Sequence, residues 1–393
     1  MRIMILGVDG YIGFPLAMRL LKEGHEVSGM DNFITRKRVR KVRADSALPI
    51  KSFEKRNSEI KDVFGANVDF YYGDASNPNH LKNAITATKP DAVIHLAEQR
   101  SAPYSMLGLK EATETMTGNI ISTLNLVYAI KDINRDTHIL KLGTMGEYGT
   151  PNIDIPEGFF EIEYRGRKDR LPFPKFAGSW YHWTKVHDSN NLMFANKVWG
   201  LGITDVMQGV VYGSRTKEIE DTGLYTRFDI DEVYGTALNR FSAEAVLGMP
   251  MTVYGRGGQT RGFLSLNDSI NCLALALKNP PGQGEYRVFN QFDEHYSINE
   301  VASMVKTAYS DITGIEPQIT HVENPRIEKE EHYYNPDHEN LKKLGYTRTK
   351  PVNAEIKDVI VDLKKHKKRL EKLRAQMMYG VRWKDSPDNA TIP

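Results

Sequence analysis

Cysteine is nearly absent from this chain: Cys272 is the single one among 393 residues, so no intramolecular disulfide can form. It lies in the apolar run 270–277, where a small buried hydrophobe is the expected role. An excess of one charge is missing too. Fifty-two basic residues face 50 acidic ones, a formal charge of +2, so there is no general pull toward nucleic acid or a membrane surface, and an anionic ligand must be held by local sites. No apolar stretch reaches the roughly 18 residues that a bilayer-spanning helix needs, so no membrane insertion is expected. The first residues already read as a buried strand, which leaves no room for a signal peptide and predicts a cytoplasmic location. His295, His321, His332 and His338 lack metal-ligand spacing, and no metal is expected. Internal repeats and low-complexity tracts are absent as well.

What the chain does contain is a series of short apolar runs at 2–6, 26–30, 69–72, 92–96, 139–142 and 203–208, with helical stretches between most of them. Such alternation predicts an α/β fold, a Rossmann-like doubly wound parallel sheet covered by helices on both faces. After about Val211 it breaks up into shorter segments at 252–254, 269–277, 286–290 and 298–309. Residues 1–210 are therefore expected to form the nucleotide-binding domain. Residues 211–393 should form mainly a smaller mixed α/β lobe over the carboxyl ends of the strands, with some segments returning to the first domain. The long connection 32–67 carries Arg36, Lys37, Arg38, Arg40, Lys41 and Arg43, read as a solvated helix face from which Arg36 still reaches the cofactor. Residues 361–374 read as a terminal amphipathic helix.

Directly after the first strand the chain runs Gly7-Val8-Asp9-Gly10-Tyr11-Ile12-Gly13. Three glycines let the backbone turn tightly, approach a pyrophosphate and pack a helix on the sheet, while the helix start offers N–H donors to phosphates. Asp31 ends the second strand, where a carboxylate accepts from the adenosine ribose hydroxyls and repels a 2′-phosphate, so NAD is preferred over NADP. Asp74, after the third strand, is placed near the adenine, Leu96 beside the pyrophosphate, and Asn119 behind the active site. Tyr11, Ile12, Asn32 and Val211 complete the expected cofactor site.

Tyr181 and Lys185 stand four apart in a helical pattern that begins at Gly178, hence on one face, where phenol and ammonium can converge on one substrate hydroxyl. An ordinary phenol titrates near about 10, whereas a base working at neutral pH belongs near about 7. Closing that gap takes roughly 4 kcal/mol, expected from Lys185 and the nicotinamide charge. Thr144, after the strand at 139–142, supplies a hydroxyl to share the substrate proton.

These features, over residues 1 to about 345, resemble the extended short-chain dehydrogenases acting on nucleotide sugars, such as UDP-glucose 4-epimerase and dTDP-glucose 4,6-dehydratase. The stretches 98–105, 141–155, 208–213, 235–241, 257–262 and 324–328 look like a branch of that family that joins sulfite to a UDP-hexose. Dehydratases follow the active-site Thr with an Asp-Glu pair; here Met145 and Gly146 stand in those positions, which disfavours an ordinary 4,6-dehydratase. The resemblance implies that UDP-glucose is oxidised at C4 by NAD⁺, that water leaves across C5–C6, that sulfite adds to C6, and that the C4 ketone is then reduced again by NADH. His182 is a candidate for the C5 base and Glu147 a weaker one. Arg261 and Arg326 take positions that hold the diphosphate or uridine ribose, where planar guanidinium groups suit bidentate recognition. Arg100 and Gln208 are expected sugar or sulfite contacts, with Thr236 and Arg240 as additional ones. The superfamily's habit of pairing through helices near Tyr181 and Lys185 implies a homodimer or homotetramer. A UDP-sugar 4-epimerase is the rival enzyme reading; an NAD-sensing protein without turnover is the rival of another class.

Overall fold

The computed structural model describes residues 1–329, 331–377, 380, 381 and 383. Its strands are β1 (Arg2–Leu6), β2 (Glu26–Asp31), β3 (Asp69–Tyr72), β4 (Ala92–His95), β5 (His138–Thr144), β6 (Phe159–Tyr164), β7 (Arg167–Pro172), β8 (Ile203–Gln208), β9 (Val210–Tyr212), β10 (Met251–Tyr254), β11 (Thr260–Ser265), β12 (Tyr286–Gln291), β13 (Glu294–Ser297) and β14 (Ile319–Val322). Seven of them form one sheet in the order β12-β8-β5-β4-β1-β2-β3. Every neighbouring pair is parallel.

A parallel sheet is covered on both faces, so its strands are apolar throughout rather than alternating. In β1, Ile3, Met4, Ile5 and Leu6 are all fully buried. Burying each such side chain contributes about 1.5–3 kcal/mol. Phe14, Leu16 and Leu20 of the helix Gly13–Lys22 cover one face together with Ile270 and Leu273. Leu81, Ile85, Leu126, Ile130 and Leu192 cover the other. A second core, including Leu238, Phe241, Val253, Val301, Val359 and Leu363, is built from the later part of the chain. The small sheets β13-β11-β9 and β10-β14 accompany it.

The connection 32–67 folds as two helices, Ile34–Lys41 and Phe53–Phe64. Lys37, Arg40, Lys41 and Arg43 face solvent as expected, whereas Arg36 and Arg38 turn inward. The terminal amphipathic helix needs correction. Helix starts at Val352, after Pro351 at the N-cap, and breaks at His366 before resuming as Lys367–Lys372. Proline is tolerated at a helix start, where no intrahelical N–H bond is lost. Leu363 and Leu370 are buried, so the segment packs into the second core. Among the described residues, no helix is long and apolar enough to cross a membrane.

Candidate active site

The chain leaves β1 toward β2 on one side and returns to β4 on the other. Open sheets bind ligands at the carboxyl ends of strands where the order reverses in this way. A cleft of ≈ 1180 Å³ opens there. Its floor is the glycine turn. Gly7, at φ +87°, would place a Cβ only 2.8 Å from the backbone of Leu96. A Cβ on Gly13 would collide with the Gly7 carbonyl. The turn is therefore a cradle that only bare backbone can form, and it holds Gly10 N–H 3.1 Å from the Gly7 oxygen. Gly13→Ala is expected to destabilise the fold by about 1–3 kcal/mol through overpacking and to lose bound dinucleotide. Thermal melting and the nucleotide content of the purified protein check this; a full complement of dinucleotide would contradict it.

Asp31 borders the cleft, accepting from the backbone N–H groups of Phe33 at 2.7 Å and Asp9 at 2.9 Å. Burial, together with the Asp9 carboxylate, pushes it up to about 6. Asn32 and Asp74 line the same end and are bonded to each other at 3.0 Å. Tyr11, Ile12, Leu96 and Val211 line it as well, the Tyr11 hydroxyl donating to the Gly213 carbonyl at 2.6 Å.

Arg36 does not line the cleft. Its guanidinium is taken up by the Asp9 carboxylate at 2.6 and 2.7 Å, and Asp9 also pairs with the buried Arg56. The expectation that Arg36 reaches the cofactor is corrected on that ground. Arg38, two residues on, borders the cleft instead.

Thr144, Tyr181, His182 and Lys185 line one wall. The helix Trp180–Trp199 starts at Ser179, whose hydroxyl accepts from the His182 N–H. That cap fixes the first turn, so Tyr181 and Lys185 lie one above the other, with the ammonium 5.8 Å from the phenol ring centre. Thr144 caps the short turn Met145–Tyr148 and accepts from the Gly146 N–H at 3.2 Å. Asn119 is buried behind this wall. Its side chain bonds both backbone groups of Gln99 and the Thr184 hydroxyl, tying the loop after β4 to the Tyr181 helix.

The electrostatics differ from expectation. Burial, with the Glu98 carboxylate next, pushes the Tyr181 phenol above its ordinary value. Burial also pulls Lys185 down. Lys185 pairs with Glu98 and donates to the Leu142 carbonyl at 2.7 Å, so the chain's own groups do not supply the lowering assigned to it. His182 is pulled down to about 3, by burial and then by the charges of Arg326, Arg261 and Lys185. Its Nδ1 lies 2.9 Å from the Ser179 hydroxyl. A Cβ on Gly146 would overlap the His182 ring, so the glycine makes room for the imidazole.

Arg100, Gln208, Thr236, Arg261 and Arg326 border the sugar end. Arg100 is held by Asp229 and the Tyr234 carbonyl, and Arg261 by Glu328. Gln208 donates to Ser269 and Gln291, whereas the buried Thr236 hydroxyl has no bonded partner. Arg240 is corrected: it is buried away from the cleft, bonding the Thr252 carbonyl at 2.9 Å and the Tyr254 phenol. Glu147 is fully buried, accepting from the Thr144 N–H and pairing with Lys175, which makes it a brace for Thr144. Among the described residues no cluster could hold a metal.

Glu98, Lys141 and Asp188 were missed by sequence reasoning. A lysine inside the apolar stretch Ile139-Leu140-Lys141-Leu142 was the available signal, since a buried charge needs a partner.

The chain belongs to the NAD dependent epimerase/dehydratase family, whose model matches residues 3–290. The chain is accordingly an NAD-dependent enzyme. Within the family it is 50% identical over 385 residues to UDP-sulfoquinovose synthase of Sulfolobus acidocaldarius, covering 98% of each chain. It is 44% identical over 384 residues to the chloroplastic UDP-sulfoquinovose synthase of Spinacia oleracea, covering 98% of this chain and 79% of that one. The fold matches UDP-glucose 4-epimerase of Thermotoga maritima, solved with UDP-glucose, at a TM-score of 0.70 and 19% identity over 93% of this chain and 99% of that one. UDP-glucuronic acid 4-epimerase of Bacillus cereus, solved with UDP-glucuronic acid and NAD, gives 0.68 and 21% over the same shares.

Proposed function

We propose that this enzyme makes UDP-sulfoquinovose and water from UDP-glucose and sulfite. The observation that carries this reading is the similarity, over nearly the whole chain, to two UDP-sulfoquinovose synthases. When bound, NAD takes hydride from C4 of the sugar and later gives it back. Tyr181 takes the proton of the C4 hydroxyl, with Thr144 sharing that proton and Lys185 holding positive charge beside the phenol. The resulting ketone acidifies the hydrogen at C5.

His182 is the base we assign at C5. In the tautomer that donates Nδ1–H to the Ser179 hydroxyl, Nε2 is the nitrogen that accepts a proton. Burial first, and then the charges of Arg326 and Arg261, depress its basicity. A substrate diphosphate at those guanidinium groups offsets the charge part of that lowering. Loss of the C6 hydroxyl as water leaves an enone. Sulfite adds at C6 while the proton returns to C5, and reduction at C4 completes the turnover. Arg100 and the unpartnered hydroxyl of Thr236 supply polar, cationic surroundings for the sugar and the incoming anion.

A cytoplasmic site of action belongs to the same proposal, and so does a homodimer or homotetramer. Exposed Leu124 and Tyr128 on the helix Leu109–Ile133, with Phe194 and Val198 on the helix Trp180–Trp199, support the oligomer. Enzyme, NAD⁺, UDP-glucose and sulfite together should yield a sugar nucleotide heavier than UDP-glucose by one SO₂ unit, read by mass spectrometry. UDP-galactose alone, with or without sulfite, would establish an epimerase instead. A 4-keto-6-deoxy sugar would overturn the argument from Met145 and Gly146.

A further inference from the structure

Beneath Lys185 lies a closed set of charges that the reaction as derived leaves unused. Glu98, just after β4, bridges two lysines: one carboxylate oxygen pairs with Lys185 and the other lies 2.9 Å from Lys141 Nζ. Lys141, in the middle of β5, is also 3.1 Å from Asp188. Asp188 follows Lys185 by three residues, on the same face of its helix. The side chains of Glu98, Lys141 and Asp188 are at most 2% exposed, and of the four only Glu98 and Lys185 border the cleft. His95, 3.3 Å from Glu98, is pulled down to about 3 by burial and adds no charge. Burial pushes the Asp188 carboxyl up, against the pull of Lys141, while Asp205 also acts on Lys141.

Stability alone does not account for such a cluster, because apolar side chains of similar volume serve a core as well or better. Geometry offers a use. The ion pair with Glu98 and the hydrogen bond to the Leu142 carbonyl together hold the Lys185 ammonium in place.

We propose that Glu98 and Lys141 are positioning residues for the Tyr181–Lys185 pair: Glu98 anchors the Lys185 ammonium, and Lys141 offsets the field of the Glu98 carboxylate at the phenol. This rests on Tyr181 being the base for C4 oxidation. Tyr181 lies against Lys185 and His182 on its own helix, and the charges of Glu98 after β4, Lys141 of β5, Glu147 of the turn after β5 and Arg100 act on its phenol. The two carboxylates raise the phenol, and Lys141 and Arg100 lower it. Removing Glu98 or Lys141 therefore moves the phenol in opposite directions.

The test is single-turnover formation of NADH absorbance from UDP-glucose, followed across pH with the NAD-loaded enzyme. Variants are Glu98→Gln, Lys141→Met and the double substitution, which removes one charge of each sign. The limb on which the rate rises with pH should move down by about one unit in Glu98→Gln and up by about one unit in Lys141→Met. In the double variant it should return close to the wild-type position. A purely structural role would lower melting temperature and rate while leaving the limb in place, and that result overturns the proposal, as do shifts of both single variants in the same direction. If Glu98→Gln does not fold, Lys141→Met and the double variant decide between the same outcomes. No NADH from the wild type would sink the C4 oxidation reading and this proposal with it. NADH from the wild type with unmoved limbs sinks the positioning role alone.

Discussion

Tyr181→Phe is expected to bind NAD and UDP-glucose and yet produce no NADH absorbance, a loss of at least about 10²–10⁴-fold in hydride transfer. The substitution removes one oxygen and keeps the ring, which lies 5.0 Å from the His182 ring and 5.8 Å from the Lys185 ammonium, so the wall of the cleft keeps its shape. Without the phenol, the C4 hydroxyl has no acceptor for its proton beside Lys185. Thr144 is no substitute, because an aliphatic hydroxyl is a far weaker acid than a phenol and can share the proton but not hold the negative charge of a base. Normal NADH formation in this variant would remove Tyr181 from the chemistry.

Gly146→Ala should separate the two halves of the reaction. Its new methyl overlaps the His182 ring, which has to leave its place against the Ser179 hydroxyl. Thr144, Tyr181 and Lys185 stay, so NADH should form on addition of UDP-glucose. Sulfonated product should fall by about 10²–10⁴-fold, the size of effect that a misplaced general base causes. The Gly146 φ is not in the left-handed region, so alanine adds no backbone strain. Rapid-quench mass spectrometry alongside NADH absorbance reads both steps. Wild-type yield of the sulfonated sugar would show that His182 is not the C5 base.

The sheet and the position of the cleft were legible because their signals are local: apolar runs of strand length, a glycine turn right after the first, and a Tyr and Lys four apart. Gly13, Asp31, Tyr181 and Lys185 each sit where short-range spacing puts them, and the fold brings them to one crevice. Arg36 and Arg240 were misjudged for a common reason. An arginine's reach is settled by whichever acceptor lies nearest in space, and those acceptors were Asp9 in one case and Thr252 with Tyr254 in the other. Glu98 carries no role that the sequence reveals, since its two lysine partners stand 43 and 87 residues away (141 − 98 and 185 − 98). The pattern of residues along the chain carries the existence of a buried charge but not the identity of its counterion. A four-residue spacing also carries no sign of how deeply the phenol is buried, and desolvation by the surrounding side chains is the largest influence on it.

The outermost strand of the main sheet, β12, has consequences during synthesis. Its six residues pair with β8, which is translated some 80 residues earlier and is buried along its whole length in the finished protein. Until Tyr286–Gln291 has left the ribosome, one side of β8 presents a row of unpaired amide and carbonyl groups on an apolar strand, an invitation to pair with another nascent chain. The nucleotide-binding sheet cannot be sealed while the first half of the polypeptide is alone. Its closure waits for sequence made after the β10 and β11 segments, so the sheet is sealed only once 291 of the 393 residues have been made.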